Sequence, residues 1–133
     1  MRVIVDTNVF LSGIFFAGNP YKILDAWRRG EVELVLSAEI LAEYQATAER
    51  LAINYPDIDF ATWIDLVAVK ASMVQSSQLP KQVCTDPDDD KFLACALAGR
   101  TAIITTGDKA LLRVSGYQGI EILTPSAFVA KYL

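Results

Sequence analysis

The feature that most constrains this chain is Phe92-Leu93-Ala94-Cys95-Ala96-Leu97-Ala98, an uninterrupted apolar run with helix-forming composition. A helix that is apolar on every face is buried by its surroundings, so the chain must wrap it. Directly before it stand Asp86-Pro87-Asp88-Asp89-Asp90-Lys91, with four carboxylates in five residues. Like charges this close repel, and each raises its neighbours' pKa unless something positive sits among them. Two readings follow, a helix cap and one wall of a divalent-metal site. Asp86 suits the N-cap and Pro87 the first helical position, while Asp88 and Asp89 in the first turn complement the helix dipole. That leaves Asp90, one turn beyond Asp86, where the helix becomes wholly apolar.

Composition removes several chemistries. The chain has no histidine, which excludes Ser–His triads, histidine acid–base catalysis and His-containing zinc sites. Two cysteines, Cys84 and Cys95, cannot supply an all-cysteine zinc site, and they read as two thiols at least partly buried in a cytoplasmic protein. Chemistry then rests on carboxylates, hydroxyls and lysines, and carboxylate oxygens suit Mg²⁺ or Mn²⁺. The net charge of −4 argues against a nucleic-acid partner, except for a nuclease whose acids carry cations. At 133 residues and 53% apolar composition, one domain spanning 1–133 with a substantial core is expected. No apolar run reaches the roughly 20 residues of a membrane span. The apolar stretch after Arg2 is too short for a signal peptide.

Hydrophobic patterning and punctuation give a coarse map. Arg2–Val5 reads as a buried strand. Val9–Phe16 reads as a short helix broken by Gly13, and Asn19-Pro20 opens another that closes at Arg28-Arg29-Gly30. Val32–Leu36 is a strand, Ser37 caps a helix from Ala38 to about Ala52, and Phe60–Lys70 is a further helix. Met73-Val74 reads as a short strand before a polar loop. The acidic helix ends at Gly99, Thr101–Thr105 and Ile120–Leu123 are strands, Lys109–Leu112 is a short helix, and Thr124-Pro125 opens the last helix. Alternating strands and helices predict an α/β domain with a mainly parallel sheet.

In open parallel sheets, ligands sit beyond the carboxyl ends of the strands. Asp6 follows the first strand, Asp108 follows the Thr101–Thr105 strand, and the helix opening at Asp86 starts at that same edge. Glu43, in the second turn of the Ser37 helix, is expected near it, with Glu39 as its competitor. Each acid alone has an ordinary explanation as a turn, cap or solvated residue. Four segments delivering acids to one rim favour a metal site instead, with Thr7, Asn8 and Thr106 able to orient its acids.

These residues resemble a known family. Val5-Asp6-Thr7-Asn8-Val9, Glu43-Tyr44, Asp86-Pro87-Asp88-Asp89-Asp90-Lys91-Phe92-Leu93 and Ile104-Thr105-Thr106-Gly107-Asp108 occur in the order found in PIN domains. More narrowly, the chain resembles VapC-like ribonucleases, the toxins of type II toxin–antitoxin systems. The resemblance covers nearly the whole chain and implies a three-layer α/β/α sandwich with about five strands. It further implies a Mg²⁺- or Mn²⁺-dependent endoribonuclease cutting single-stranded RNA. Carried over by motif, Asp6, Glu43, Asp90 and Asp108 are the metal-holding catalytic acids, Asn8 and Thr106 support them, and Asp86 is the substitute for Asp90. Thr85 stands where relatives often carry arginine. Pairing with itself and silencing by a cognate antitoxin are the implied partnerships. The readings from other classes are a receiver-like phosphoacceptor module, which would need a phosphorylatable Asp after its middle strand, and a catalytically inactive PIN binding scaffold.

Overall fold

The computed structural model describes residues 1–133. Strands β1 (Arg2–Val5), β2 (Glu33–Leu36), β3 (Ser72–Met73), β4 (Ile103–Thr105) and β5 (Glu121–Leu123) form one sheet in the order β3-β2-β1-β4-β5. Every neighbouring pair is parallel. Helices α1 (Thr7–Phe15), α2 (Asn19–Arg28), α3 (Ala38–Asn54), α4 (Phe60–Lys70), α5 (Asp90–Ala98), α6 (Lys109–Leu112) and α7 (Pro125–Tyr132) complete a three-layer α/β/α fold. No helix is long and apolar enough to cross a membrane. Strand order reverses between β1 and β4, and a crevice opens beyond the carboxyl ends of strands at such a switch point. The order also differs from the 2-1-3-4-5 arrangement a receiver-like module would need.

The all-apolar run lies in α5, with Phe92 to Ala96 buried and the helix packed over β1, β2 and β4, while Leu97 and Ala98 at its end are exposed. Its far end is fixed by close approach. A Cβ on Gly99 would stand 2.9 Å from Val35 Cγ1, and the Gly99 carbonyl accepts a 2.5 Å hydrogen bond from Arg2 Nη1. Both cysteines are buried and unpaired, and burial above all pushes each thiol up to about 12.

Several expectations need correction. Gly13 does not break the first helix, because α1 runs unbroken through it. A Cβ at Gly13 would stand 2.6 Å from Leu24 Cδ1, so the glycine lets α1 and α2 close on each other. The α-helix also does not begin at Pro87. Asp86 accepts a hydrogen bond from the Asp88 amide at 2.9 Å, and the Asp89 amide bonds back to the Asp86 carbonyl at 3.0 Å. That tighter winding makes Pro87–Asp89 a 3₁₀ turn, and α5 starts at Asp90. The strands at Val32 and Thr101 likewise begin later, at Glu33 and Ile103.

Candidate active site

Asp6 lies where β1 gives way to α1 and is only 6% exposed. Its Oδ1 accepts from the Val9 amide at 2.9 Å, capping α1, and its backbone N–H donates to the Thr105 carbonyl on β4. Its Oδ2 accepts a short hydrogen bond from the Thr106 hydroxyl. The same hydroxyl oxygen accepts from the Asp108 amide at 3.0 Å, and Asp108 in turn caps α6 through the Ala110 amide. One threonine therefore ties the ends of β1 and β4 together and sets Asp108 beside Asp6. Burial raises the pKa of Asp6 against the lowering effect of the Thr106 and Val9 hydrogen bonds, and the charges of Asp108 and Glu43 raise it further.

Asp89 is the third member. Burial, then contact with the Asp108 carboxyl, then the charges of Asp108, Asp86 and Asp6 push its pKa up to about 6. A carboxyl that meets another carboxyl in a partly desolvated groove releases its proton at higher pH than a free one, and a nearby cation would reverse that. Asp90 is placed differently. Its Oδ1 accepts from the Cys84 amide at 2.7 Å and its Oδ2 from the Val83 amide at 3.0 Å. Burial would raise its pKa, but these amides outweigh that and hold it below the usual carboxylate range. Asp90 thus anchors the preceding loop. Asp86 caps the 3₁₀ turn and adds charge near Asp89.

Glu43 reaches the same rim from α3. Its Oε1 accepts from the Thr7 hydroxyl at 2.6 Å, and its Oε2 is ion-paired with the Lys91 ammonium, which also meets Asp88 Oδ2 at 2.9 Å. Glu39, the alternative to it, is exposed and lines a neighbouring cleft of about 530 Å³ with Ser77, Gln78, Lys81 and Lys91. Below the rim, Tyr44 is fully buried, stacks on Phe10 at 4.3 Å and 5°, and donates its hydroxyl to the Val5 carbonyl. Asn8 is exposed in the first turn of α1.

The structure therefore brings together Asp6, Asp108 and the support Thr106, sets Glu43 at the edge, and turns Asp90 onto backbone amides. Sequence reasoning passed over Asp89 and Lys91. The motif points to Asp90, and only the 3₁₀ start brings Asp89 to Asp108, whereas a lone lysine following four aspartates was a visible hint of a charge partner.

Comparison with known proteins adds the family. The profile of the PIN domain matches residues 2–110, which include Asp6, Glu43, Asp89 and Asp108. The chain belongs to the PIN-domain family. An uncharacterized protein of Methanocaldococcus jannaschii is similar to it, 28% identical over 144 aligned positions that cover 99% of this chain and 92% of the relative. PIN domains are generally nucleases that use divalent metals and act on RNA, so a hydrolase is the coarse class of this PIN domain. In the arrangement described, no three His, Cys, Asp or Glu side chains close around a single point. The donor chemistry nevertheless fits a hard cation: Asp6, Asp89 and Asp108 offer only carboxylate oxygens, and burial and the neighbouring acids both push the Asp89 carboxyl up.

Proposed function

We propose that this PIN domain, read as one domain over the whole chain, is a Mg²⁺- or Mn²⁺-dependent endoribonuclease. Its substrate is single-stranded RNA, and it serves as the VapC-like toxin of a toxin–antitoxin pair. The observation that carries the reading is the Thr106 link, which sets two acids from separate strand ends side by side, with Asp89 raised to about 6 facing Asp108.

Asp6, Asp89 and Asp108 would hold the ion. A divalent cation there supplies Lewis acidity toward the phosphodiester and lowers the pKa of water. Thr106 orients Asp6 and fixes the Asp108 backbone through one hydroxyl. The acids at the switch point keep nonbridging phosphate oxygens away unless the cation is present, which makes cleavage conditional on metal. The adjoining polar cleft gives a strand room beside the acids, with Lys81 and Lys91 on its wall.

Self-association and capture by an antitoxin belong to the same reading. Phe16, Ile53 and Val69 are exposed apolar side chains that partners of this kind would cover. The test is cleavage of a mixed single-stranded RNA by purified, antitoxin-free protein with Mg²⁺ or Mn²⁺ against EDTA, beside Asp108→Asn. Metal-dependent cleavage lost in the variant supports the proposal. Cleavage that persists in EDTA, or in Asp108→Asn, overturns it. An inactive scaffold would bind RNA without cutting it under any of these conditions.

A further inference from the structure

The cleft beside the rim carries two charges with no partner. Asp88 on its wall meets Lys91 at 2.9 Å, and Lys91 also pairs with Glu43. Asp90 is turned onto the Val83 and Cys84 amides, and Gln82 gives its amide nitrogen to the Cys84 and Thr85 carbonyls. Glu39 and Lys81 remain: both line the cleft, both are exposed, and neither is in an ion pair. Both are also held in place. Glu39 stands in the first turn of α3, just past the Ser37 cap, and Lys81 lies between Leu79 and Val83, which pack against the core. At about 530 Å³ the cleft is within the roughly 300–1,000 Å³ of small-molecule sites. No aromatic ring lines it, so it would hold a base by its edges rather than by stacking.

Resting on the RNA substrate proposed above, we infer that this cleft takes a guanine of the strand, with Glu39 and Lys81 as its specificity-determining residues. A carboxylate accepts two parallel N–H bonds best from adjacent donors. Among the RNA bases only guanine offers such a pair on its Watson–Crick edge, the ring N1–H and the N2 amino group. Its O6 and N7 acceptors suit an ammonium. Adenine and cytosine place a ring-nitrogen lone pair beside their amino group, and uracil flanks its single N–H with carbonyl oxygens. Each would set a lone pair against Glu39, which rejects it as well as failing to bind it. Single-stranded RNA leaves these edges free to be read. Lys91 belongs to the cleft wall and to the rim at once, so a guanine here lies close to the phosphate that reaches the acids.

Base choice is read by fluorescence anisotropy on the full chain, in EDTA to prevent metal-dependent cleavage. The probes are oligouridines of about ten nucleotides carrying a central guanosine, inosine, adenosine or cytidine. Wild type should bind the guanosine oligomer at least about tenfold more tightly than the adenosine or cytidine ones, with inosine, which lacks the N2 amino group, in between. Glu39→Gln should bring guanosine to within about threefold of adenosine. Lys81→Met should weaken the guanosine oligomer about tenfold and the adenosine and cytidine ones by less than about threefold. Thermal melts confirm that both variants fold. Equal binding of all four oligomers by wild type, binding of none, or an undiminished guanosine preference in Glu39→Gln overturns the inference. An equal loss on all four in Lys81→Met makes that lysine a phosphate contact and overturns it too. The nuclease reading fails separately: a guanosine preference without cleavage of the same oligomer under Mn²⁺ upholds the cleft and removes the enzyme.

Discussion

Thr106 and Asp6 stand 100 residues apart in the chain, and the Thr106 hydroxyl donates to the Asp6 carboxylate while accepting from the Asp108 amide. That single oxygen couples two strand ends and sets the spacing of two acids. It also partly offsets the cost of keeping Asp6 buried and charged.

Thr106→Val keeps the shape of the side chain and removes both hydrogen bonds. Mn²⁺ affinity and RNA cleavage should each fall by about 10–100-fold, the usual cost of losing a group that orients a metal ligand. Thr106→Ser should recover most of both. Calorimetry and cleavage on the same samples check this, and unchanged values in the valine variant would deny Thr106 its positioning role.

Tyr44→Phe should retain the stack on Phe10 and lose the hydrogen bond to the Val5 carbonyl at the end of β1. An acceptor left buried without its donor costs about 1–3 kcal/mol. Urea unfolding should show a lower midpoint with an unchanged slope. No shift in midpoint would mean that the hydroxyl contributes nothing there.

Stability of the metal-free protein should depend on pH through Asp89. Its folded pKa of about 6 lies above the reference value of 3.8. Between those values the folded state holds a proton the unfolded chain has already released, so stability falls as pH rises through that window. Asp6, also raised, adds in the same direction. Asp25, Asp59 and Asp90 are lowered, so their stabilising contributions are lost only as pH falls below about 4. Thermal melts at pH 5 and 7.5 should therefore show a lower midpoint at 7.5, a step that Mn²⁺ reverses and Asp89→Asn flattens. An equal step in the variant would assign it to another group.

The strand ends were legible before the fold. Asp6 and Asp108 each follow a short apolar strand, and in a parallel sheet all such ends share one edge, so their meeting follows from topology alone. The apolar run of α5 announced its burial through its all-round apolar faces from Phe92 to Ala96, though not the exposure of Leu97. The register of the acidic run was not legible. Asp89 and Asp90 are adjacent, and which one faces the groove depends on whether Pro87 begins a 3₁₀ or an α turn; here the Asp89 amide closes back on the Asp86 carbonyl. Gly13 misled because a glycine within a helix reads as a break, whereas here it answers to Leu24 from another helix. The Lys91–Glu43 pair joins residues from α5 and α3, a contact no local pattern encodes.

The most direct measurement compares Asp89→Asn with Asp90→Asn in one metal-dependent RNA cleavage assay, each corrected for folded fraction. Asp89→Asn should lose at least about a hundredfold in cleavage while its metal-free form melts higher at pH 7.5, since a groove acid has gone. Asp90→Asn should melt lower, because two loop amides lose their carboxylate, and should cut within a few-fold of wild type per folded molecule. The reverse, with cleavage abolished in folded Asp90→Asn and kept in Asp89→Asn, would contradict the Asp6, Asp89 and Asp108 site.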